Sequence, residues 1–181
     1  MTLIELLERI RQLYVGQFSG IVAQSGCHVE PVLRDRTGAV VYEGPLRTPY
    51  RCDLVRKDTF ATVSIDATER LRFDTLSFDI GTTRVQLAPF SWDALTLEID
   101  GMAQADAADV MRNWFLRWFD EADENAADAD GLYGVVHYLS DPVDLGRAVR
   151  FQVDLGSAPA GAVSGLIEEL CTRGAARLNL C

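Results

Sequence analysis

The residue types of a hydrolytic site occur close together in the segment HYLSDP, which contains His137, Ser140 and Asp141. A serine nucleophile needs a histidine within hydrogen-bond reach as its base and a carboxylate that orients this histidine. A strand would place His137 and Ser140 on opposite faces, and no glycine-flanked nucleophile turn surrounds the serine. The segment therefore predicts a strand followed by a Ser-Asp-Pro turn, with no catalytic residue.

A second pair of reactive types is Cys27, which directly precedes His28. Neighbouring residues of a strand point to opposite faces, so we expect an idle or buried cysteine beside a surface histidine. The four cysteines have no C-x-x-C spacing, and the two histidines lie far apart in the sequence. This pattern predicts no structural zinc, no iron–sulfur cluster and no cofactor. We expect reduced thiols and hence a cytoplasmic protein.

The densest charge lies in the segment DEADENAADADG, residues 120–131, which is called the acidic segment below. Aligned with a calcium-binding EF-hand loop, it places Ala126 at the first ligand position and His137 where a bidentate glutamate is required, so it predicts no metal site. Like charges at this density repel and stay solvated. We expect an exposed surface that either contacts a basic protein or only increases solubility. Its six carboxylates belong to Asp120, Glu121, Asp123, Glu124, Asp128 and Asp130.

The net charge of −10 is unevenly distributed along the chain. Residues 1–90 hold 11 basic and 11 acidic side chains, whereas residues 91–181 hold 6 and 16. An acidic protein repels nucleic-acid phosphates and gains nothing from anionic lipid headgroups. The composition therefore predicts neither a nucleic-acid nor a membrane partner, and it leaves a basic protein as a partner.

Three segments of the second half alternate between apolar and polar residues, namely 94–100, 149–155 and 176–180. Such alternation predicts strands of an open sheet with one polar face. A fourth strand, with weaker alternation, is predicted over 133–139. The polar face can bind a polar ligand, or it can be covered by the first half or by a second copy in a homodimer. Its candidate ligand-binding residues are Glu98, Arg150, Gln152, Asp154 and His137.

Two helices are predicted between these strands. Asp106 would be the N-cap of the first, whose apolar stripe comprises Val110, Met111, Trp114, Phe115 and Trp118. In the second helix Ser157 would be the cap, Pro159 would lie in the first turn, and Gly174 would end it. The resulting order, β-α-β-β-α-β, predicts a ferredoxin-like unit with both helices on one face of the sheet.

The first half is predicted to begin with a helix and to continue as an antiparallel meander. Thr2 and Glu5 have the spacing of a capping box, and apolar residues recur at helical spacing until Gly16. Segments 40–42, 51–55, 60–65, 72–80 and 84–87 are predicted as strands. The fold class is therefore α+β. The organisation predicted is residues 1–90 followed by residues 91–181, either as two units or packed as one compact domain.

The segment VDLGSAPAG, Val153 to Gly161, is similar to the first motif of S-adenosylmethionine-dependent methyltransferases, including the DLG-x-x-PG form of the RNA ribose methyltransferases. The resemblance implies a strand that ends in an acidic residue and a glycine turn where the backbone approaches the cofactor. It covers about nine residues, and Ala160 replaces the usual glycine. The chain after Gly161 is too short for the strands that complete the family's site. We therefore interpret the segment as a strand-to-helix turn with a tight reversal at Gly156.

These observations favour a non-catalytic protein-binding module of the immunity-protein or adaptor kind, whose acidic half contacts a basic partner. The alternative is a small-molecule-binding protein or an enzyme that uses the polar sheet face.

No basic region precedes the first apolar residues, which predicts no secretory signal. Sixteen of the 17 basic residues are arginine, a bias that indicates a GC-rich, bacterial source.

Overall fold

The computed structural model describes all 181 residues. It contains three helices and two β-sheets, which confirms the predicted α+β class. The helices are α1 (Leu3–Val22), α2 (Gln104–Phe119) and α3 (Ala160–Thr172). The strands are β1 (Cys27–Val29), β2 (Leu54–Arg56), β3 (Thr62–Val63), β4 (Leu76–Ile80), β5 (Thr83–Leu87), β6 (Leu95–Asp100), β7 (Tyr138–Leu139), β8 (Val143–Asp144), β9 (Ala148–Asp154) and β10 (Arg177–Leu180).

Helix α1 begins with the predicted capping box. The Thr2 hydroxyl accepts a hydrogen bond from the Glu5 backbone N–H at 3.3 Å, and the Glu5 carboxylate accepts one from the Thr2 N–H at 2.7 Å. The prediction that the helix ends at Gly16 was wrong, because α1 continues to Val22. Val15 and Phe18, on either side of that glycine, are buried in the core, and their burial offsets a glycine penalty of about 1 kcal/mol.

The predicted meander is divided between two sheets. Strands β1, β2 and β3 form a small antiparallel sheet, to which the unpredicted strand β1 contributes one edge. The segment 40–42 makes only an isolated bridge, between Val40 and Arg34. Strands β4 and β5 form a hairpin that belongs to the larger sheet, because β5 pairs in parallel with β10.

The large sheet has the strand order β4-β5-β10-β6-β9-β7, and β8 also pairs with β9. Strand β6 is antiparallel to both β9 and β10, and it pairs Glu98 with Arg150. The sheet therefore contains strands from both halves of the chain. The assignment of residues 91–181 to the ferredoxin-like fold and the division near residue 90 stay predictions.

The main core lies between this sheet and the helices. Alternate residues of β6 and β9, among them Leu97, Ile99 and Phe151, are fully or almost fully buried on the helix side. The residues between them are half-buried or exposed on the other side. One face of the large sheet thus remains accessible to solvent, as its polar composition predicts.

Two predicted caps were wrong. Helix α2 begins at Gln104 after Ala103, so Asp106 lies inside the first turn, where its charge interacts favourably with the helix dipole. Helix α3 begins at Ala160 after Pro159, and its cap makes no side-chain hydrogen bond. Ser157 points elsewhere because its hydroxyl accepts hydrogen bonds from two other backbone N–H groups. None of the three helices is long and apolar enough to cross a membrane.

Candidate functional site

The acidic segment follows the end of α2 and has a defined conformation. Asp120 adopts a left-handed backbone conformation with φ of 55°, and its carboxylate accepts hydrogen bonds from the N–H groups of Glu124 and Asn125 at 3.0 and 2.9 Å. Asp128 accepts hydrogen bonds from Asp130 and Leu132 at 2.9 and 3.0 Å. Asp120 is half-buried, and residues 121–130 are all exposed.

Two arginines of the first half anchor the base of this segment. The Arg51 guanidinium, with 2% of its side chain exposed, lies 2.9 Å from Asp123 and donates hydrogen bonds to the backbone carbonyls of Phe119 and Asp120. Arg34 reaches the other oxygen of Asp123 at 3.3 Å. Asp123 alone among the six carboxylates forms an ion pair, and Glu121 accepts a hydrogen bond from the Tyr42 hydroxyl. The exposed carboxylates of Glu124 and Asp130 have no partner within the chain and are available to another protein.

The polar sheet face brings together only part of the predicted ligand set. Arg150 donates to the Glu98 carboxylate at 2.7 and 3.0 Å, with 42% of the arginine and 24% of the glutamate side chain exposed. Gln152 is exposed nearby on the same strand. His137 forms no hydrogen bond or ion pair with these three residues. The face is therefore accessible, but its arginine is already paired.

His137 lies instead in a buried cluster with carboxylates. Its side chain is fully buried, with Nε2 at 2.7 Å from Glu30 Oε1 and Nδ1 at 2.9 Å from Asp53 Oδ1. Asp154 Oδ2 lies 3.8 Å from Nδ1, and its side chain is 26% exposed. Of the predicted ligand residues, His137 and Asp154 are thus brought together apart from Glu98 and Arg150.

The small sheet and α1 position the carboxylates of this histidine cluster. Glu30 follows β1 and Asp53 precedes β2, and the Glu30 N–H donates to the Asp53 carbonyl at 2.8 Å. The Glu30 side chain accepts hydrogen bonds from the N–H groups of Tyr133 and Ser157 at 2.7 and 3.2 Å. Asp53 accepts one from the Tyr14 hydroxyl of α1 at 3.3 Å. Hydrogen bonds from the surrounding elements thus hold the Glu30 and Asp53 carboxylates against the imidazole.

The turn from β9 to α3 forms another wall of the histidine cluster. Gly156 has φ of 50°, which confirms the tight reversal predicted there. A Cβ atom on this glycine would lie 2.3 Å from His137 Cδ2 and 2.5 Å from the Val135 carbonyl oxygen. The next residue, Ser157, accepts hydrogen bonds from the N–H groups of Gly134 and Val135. The glycine turn therefore packs directly against the imidazole ring.

Electrostatics make His137 a buried cation. Burial alone lowers its pKa, but the hydrogen bonds to Asp53 and Glu30 outweigh burial and raise the pKa to about 10. Burial also opposes ionisation of Glu30, whose pKa is nevertheless lowered by its hydrogen bond to His137. For Asp154, burial outweighs the attraction of His137 and raises the pKa to about 6, with repulsion from Asp53 and Asp93 adding to the rise. The imidazolium is thus held between the carboxylates of Asp53 and Glu30.

The hydrogen-bonding groups of the cluster are largely paired with one another. The imidazolium donates both of its N–H groups, and the Ser157 hydroxyl oxygen accepts two hydrogen bonds, whereas Asp154 Oδ2 accepts none. The cluster therefore surrounds one imidazole with negatively charged carboxylates. Glu30 and Asp53 could not be predicted as members of this cluster, because they lie 107 and 84 positions from His137 and no local sequence pattern marks a contact over that separation.

No protein-family model, curated protein sequence or solved structure matches this chain. Its geometry defines an α+β protein with an ordered, exposed acidic segment and a buried histidine–carboxylate cluster.

Proposed function

We propose that this protein is a non-catalytic binding module whose acidic segment contacts a basic protein partner, in an immunity-like or adaptor role. The proposal rests on one observation: the acidic segment is exposed to solvent and also has a defined conformation. Residues 121–130 are exposed, yet Arg51 and Arg34 hold Asp123 from the first half of the chain. A surface that is ordered before binding loses less conformational entropy when the partner binds.

The charge distribution supports the same proposal. Five of the six carboxylates of the acidic segment form no ion pair within the chain, so their field extends into solvent and can steer a basic protein towards this surface. The four cysteines are free thiols, in keeping with the cytoplasmic location proposed for the protein. A solubilising role alone would not require buried Arg51 to fix the segment.

Photo-crosslinking from a defined position tests this function. A photoreactive residue replaces Glu124 in the acidic segment, and in a separate control variant it replaces Glu168, an exposed residue of α3. We expect position 124 to capture a specific basic protein in cells and position 168 to capture none. Equal capture from the two positions, or capture only of acidic proteins, would contradict the proposal.

A further inference from the structure

The buried histidine cluster carries an inference independent of the acidic segment. We propose that Asp53, His137 and Asp154 form a binding site for a divalent transition-metal cation. Its ligands would be His137 Nδ1 and one carboxylate oxygen from each aspartate. Imidazole nitrogen with carboxylate oxygen is a donor set that suits cations such as Zn²⁺ and Mn²⁺.

The three ligand atoms lie close enough together to bind one cation. His137 Nδ1 lies 2.9 Å from Asp53 Oδ1 and 3.8 Å from Asp154 Oδ2, and all three ligand atoms lie within 4.8 Å of one another. Atoms bound to one cation at about 2.1 Å stand roughly 3.0–3.4 Å apart in octahedral or tetrahedral coordination. The His137–Asp53 distance is already close to this range, and the atoms that lie farthest apart would approach each other by at most about 1.4 Å when a cation binds.

Glu30 already orients the imidazole for this role. It accepts a hydrogen bond from Nε2 at 2.7 Å, and both side chains are completely buried. A carboxylate that holds one ring nitrogen in this way leaves the other nitrogen to face a metal. When the cation binds, the Nδ1 proton leaves to solvent, Nε2 keeps its proton, and the histidine becomes a neutral ligand.

A cavity of about 180 Å³ borders the cluster at Asp154, and Asp93 also lines it. Asp93 Oδ2 accepts a hydrogen bond from the Ala67 N–H at 2.8 Å, whereas the buried Oδ1 has no hydrogen-bond partner. A buried carboxylate oxygen without a partner is costly. A hydrated cation beside Asp154 would supply that partner, with its open coordination positions directed into the cavity.

The chain offers a closely matched pair of variants for the test. Asp154 Oδ1 accepts a hydrogen bond from the Gly156 N–H at 2.8 Å, and Asp144 Oδ1 accepts the equivalent bond from Gly146 at 2.7 Å. Asp154→Asn and Asp144→Asn therefore perturb the same kind of turn, but only Asp154 belongs to the cluster. After chelator treatment and desalting, Zn²⁺ is titrated by calorimetry into each protein. Circular dichroism checks that each is folded.

We expect one equivalent of Zn²⁺ to bind the wild type and Asp144→Asn equally, and Asp154→Asn to bind at least tenfold more weakly. Nitrogen NMR of the wild type provides a test that needs no variant, because His28 and His137 are the only histidines. Zn²⁺ should remove the Nδ1 proton of His137 and leave His28 unchanged. Absence of Zn²⁺ binding, binding that Asp154→Asn leaves intact, or a shift at His28 alone would overturn the proposal and leave a purely structural ion-pair network.

Discussion

Gly156 is the residue on which the packing around His137 depends most directly. Replacement by alanine places a Cβ atom 2.3 Å from the imidazole ring and requires a positive φ that alanine disfavours. We expect Gly156→Ala to lower the free energy of unfolding by about 2–4 kcal/mol, measured by urea denaturation. Gly161→Ala is the matched control, because that glycine lies in the first turn of α3 with open space around its Cβ position. Equal stability of the two variants would contradict the described packing.

The histidine cluster also predicts how stability depends on pH when chelator removes cations. The folded-state pKa of His137, about 10, exceeds its ordinary value of 6.5. Its stabilising contribution is therefore complete below pH 6.5 and is lost as the pH rises towards 10. Asp154, with its pKa raised from 3.8 to about 6, adds a loss as the pH rises between those values. Glu30 acts oppositely, because its lowered pKa costs stability as the pH falls below 4.5.

Urea denaturation from pH 6.5 to 10 tests the histidine contribution. We expect the wild type to lose stability across this range and His137→Gln to lose much less. His28→Gln, at an exposed site, should retain the wild-type profile. A profile of His137→Gln that runs parallel to that of the wild type would contradict the assignment of this pH dependence to His137.

Individual residue roles were only partly predictable from the sequence. The polar alternation of β9 identified Asp154, and the residue types in HYLSDP drew attention to His137. Glu30 and Asp53 carry no local signal, since the pairing of β1 with β2 brings them to the same imidazole. Ser157 was expected to cap α3, but two N–H groups that precede β7 compete for its hydroxyl.

At the scale of elements, the end of α2 and the acidic segment depend on Arg51. Its guanidinium donates to two carbonyls at that helix end and pairs with Asp123. Arg51→Met removes the donor of these two carbonyls and of the Glu30 carbonyl, so we expect a loss of roughly 3–5 kcal/mol in unfolding free energy and faster amide hydrogen exchange over residues 120–131. Arg34→Met removes a partly exposed contact to the same Asp123 and should cost less than about 1 kcal/mol. Similar losses in the two variants would exclude this role for Arg51.

Long, regularly patterned elements were predictable, whereas short ones were not. The predicted ranges of β6, β9 and β10 agree with the structure to within a residue at either end, because alternation reports directly on one buried face. The predicted strand over 133–139 shrinks to Tyr138–Leu139. Strands as short as β3 and β7 are determined by the neighbours that pair with them. Such pairing partners cannot be identified from local composition.

At the scale of the whole molecule, the neutral first half and the acidic second half are joined by direct contacts. The second half of the chain carries the excess acid, yet two arginines of the neutral first half hold its acidic segment in place. The two halves also share the large sheet through the pairing of β5 with β10. The net charge predicts that nucleic acids and anionic membranes are not partners. The sequence could not show that the acidic segment is held in place, because Arg34 and Arg51 lie far from it in the chain.

The affinity of the crosslinked partner for charge-neutralised variants tests the proposed function most directly. The variant Glu121→Gln/Glu124→Gln/Asp130→Asn changes three exposed carboxylates that form no ion pair. Its control, Glu69→Gln/Asp74→Asn/Glu168→Gln, removes the same charge elsewhere on the surface. We predict that the acidic-segment variant raises the Kd at least tenfold and weakens its salt dependence, with the control close to wild type. An unchanged Kd in the acidic-segment variant, or equal loss in both, would contradict the proposed function.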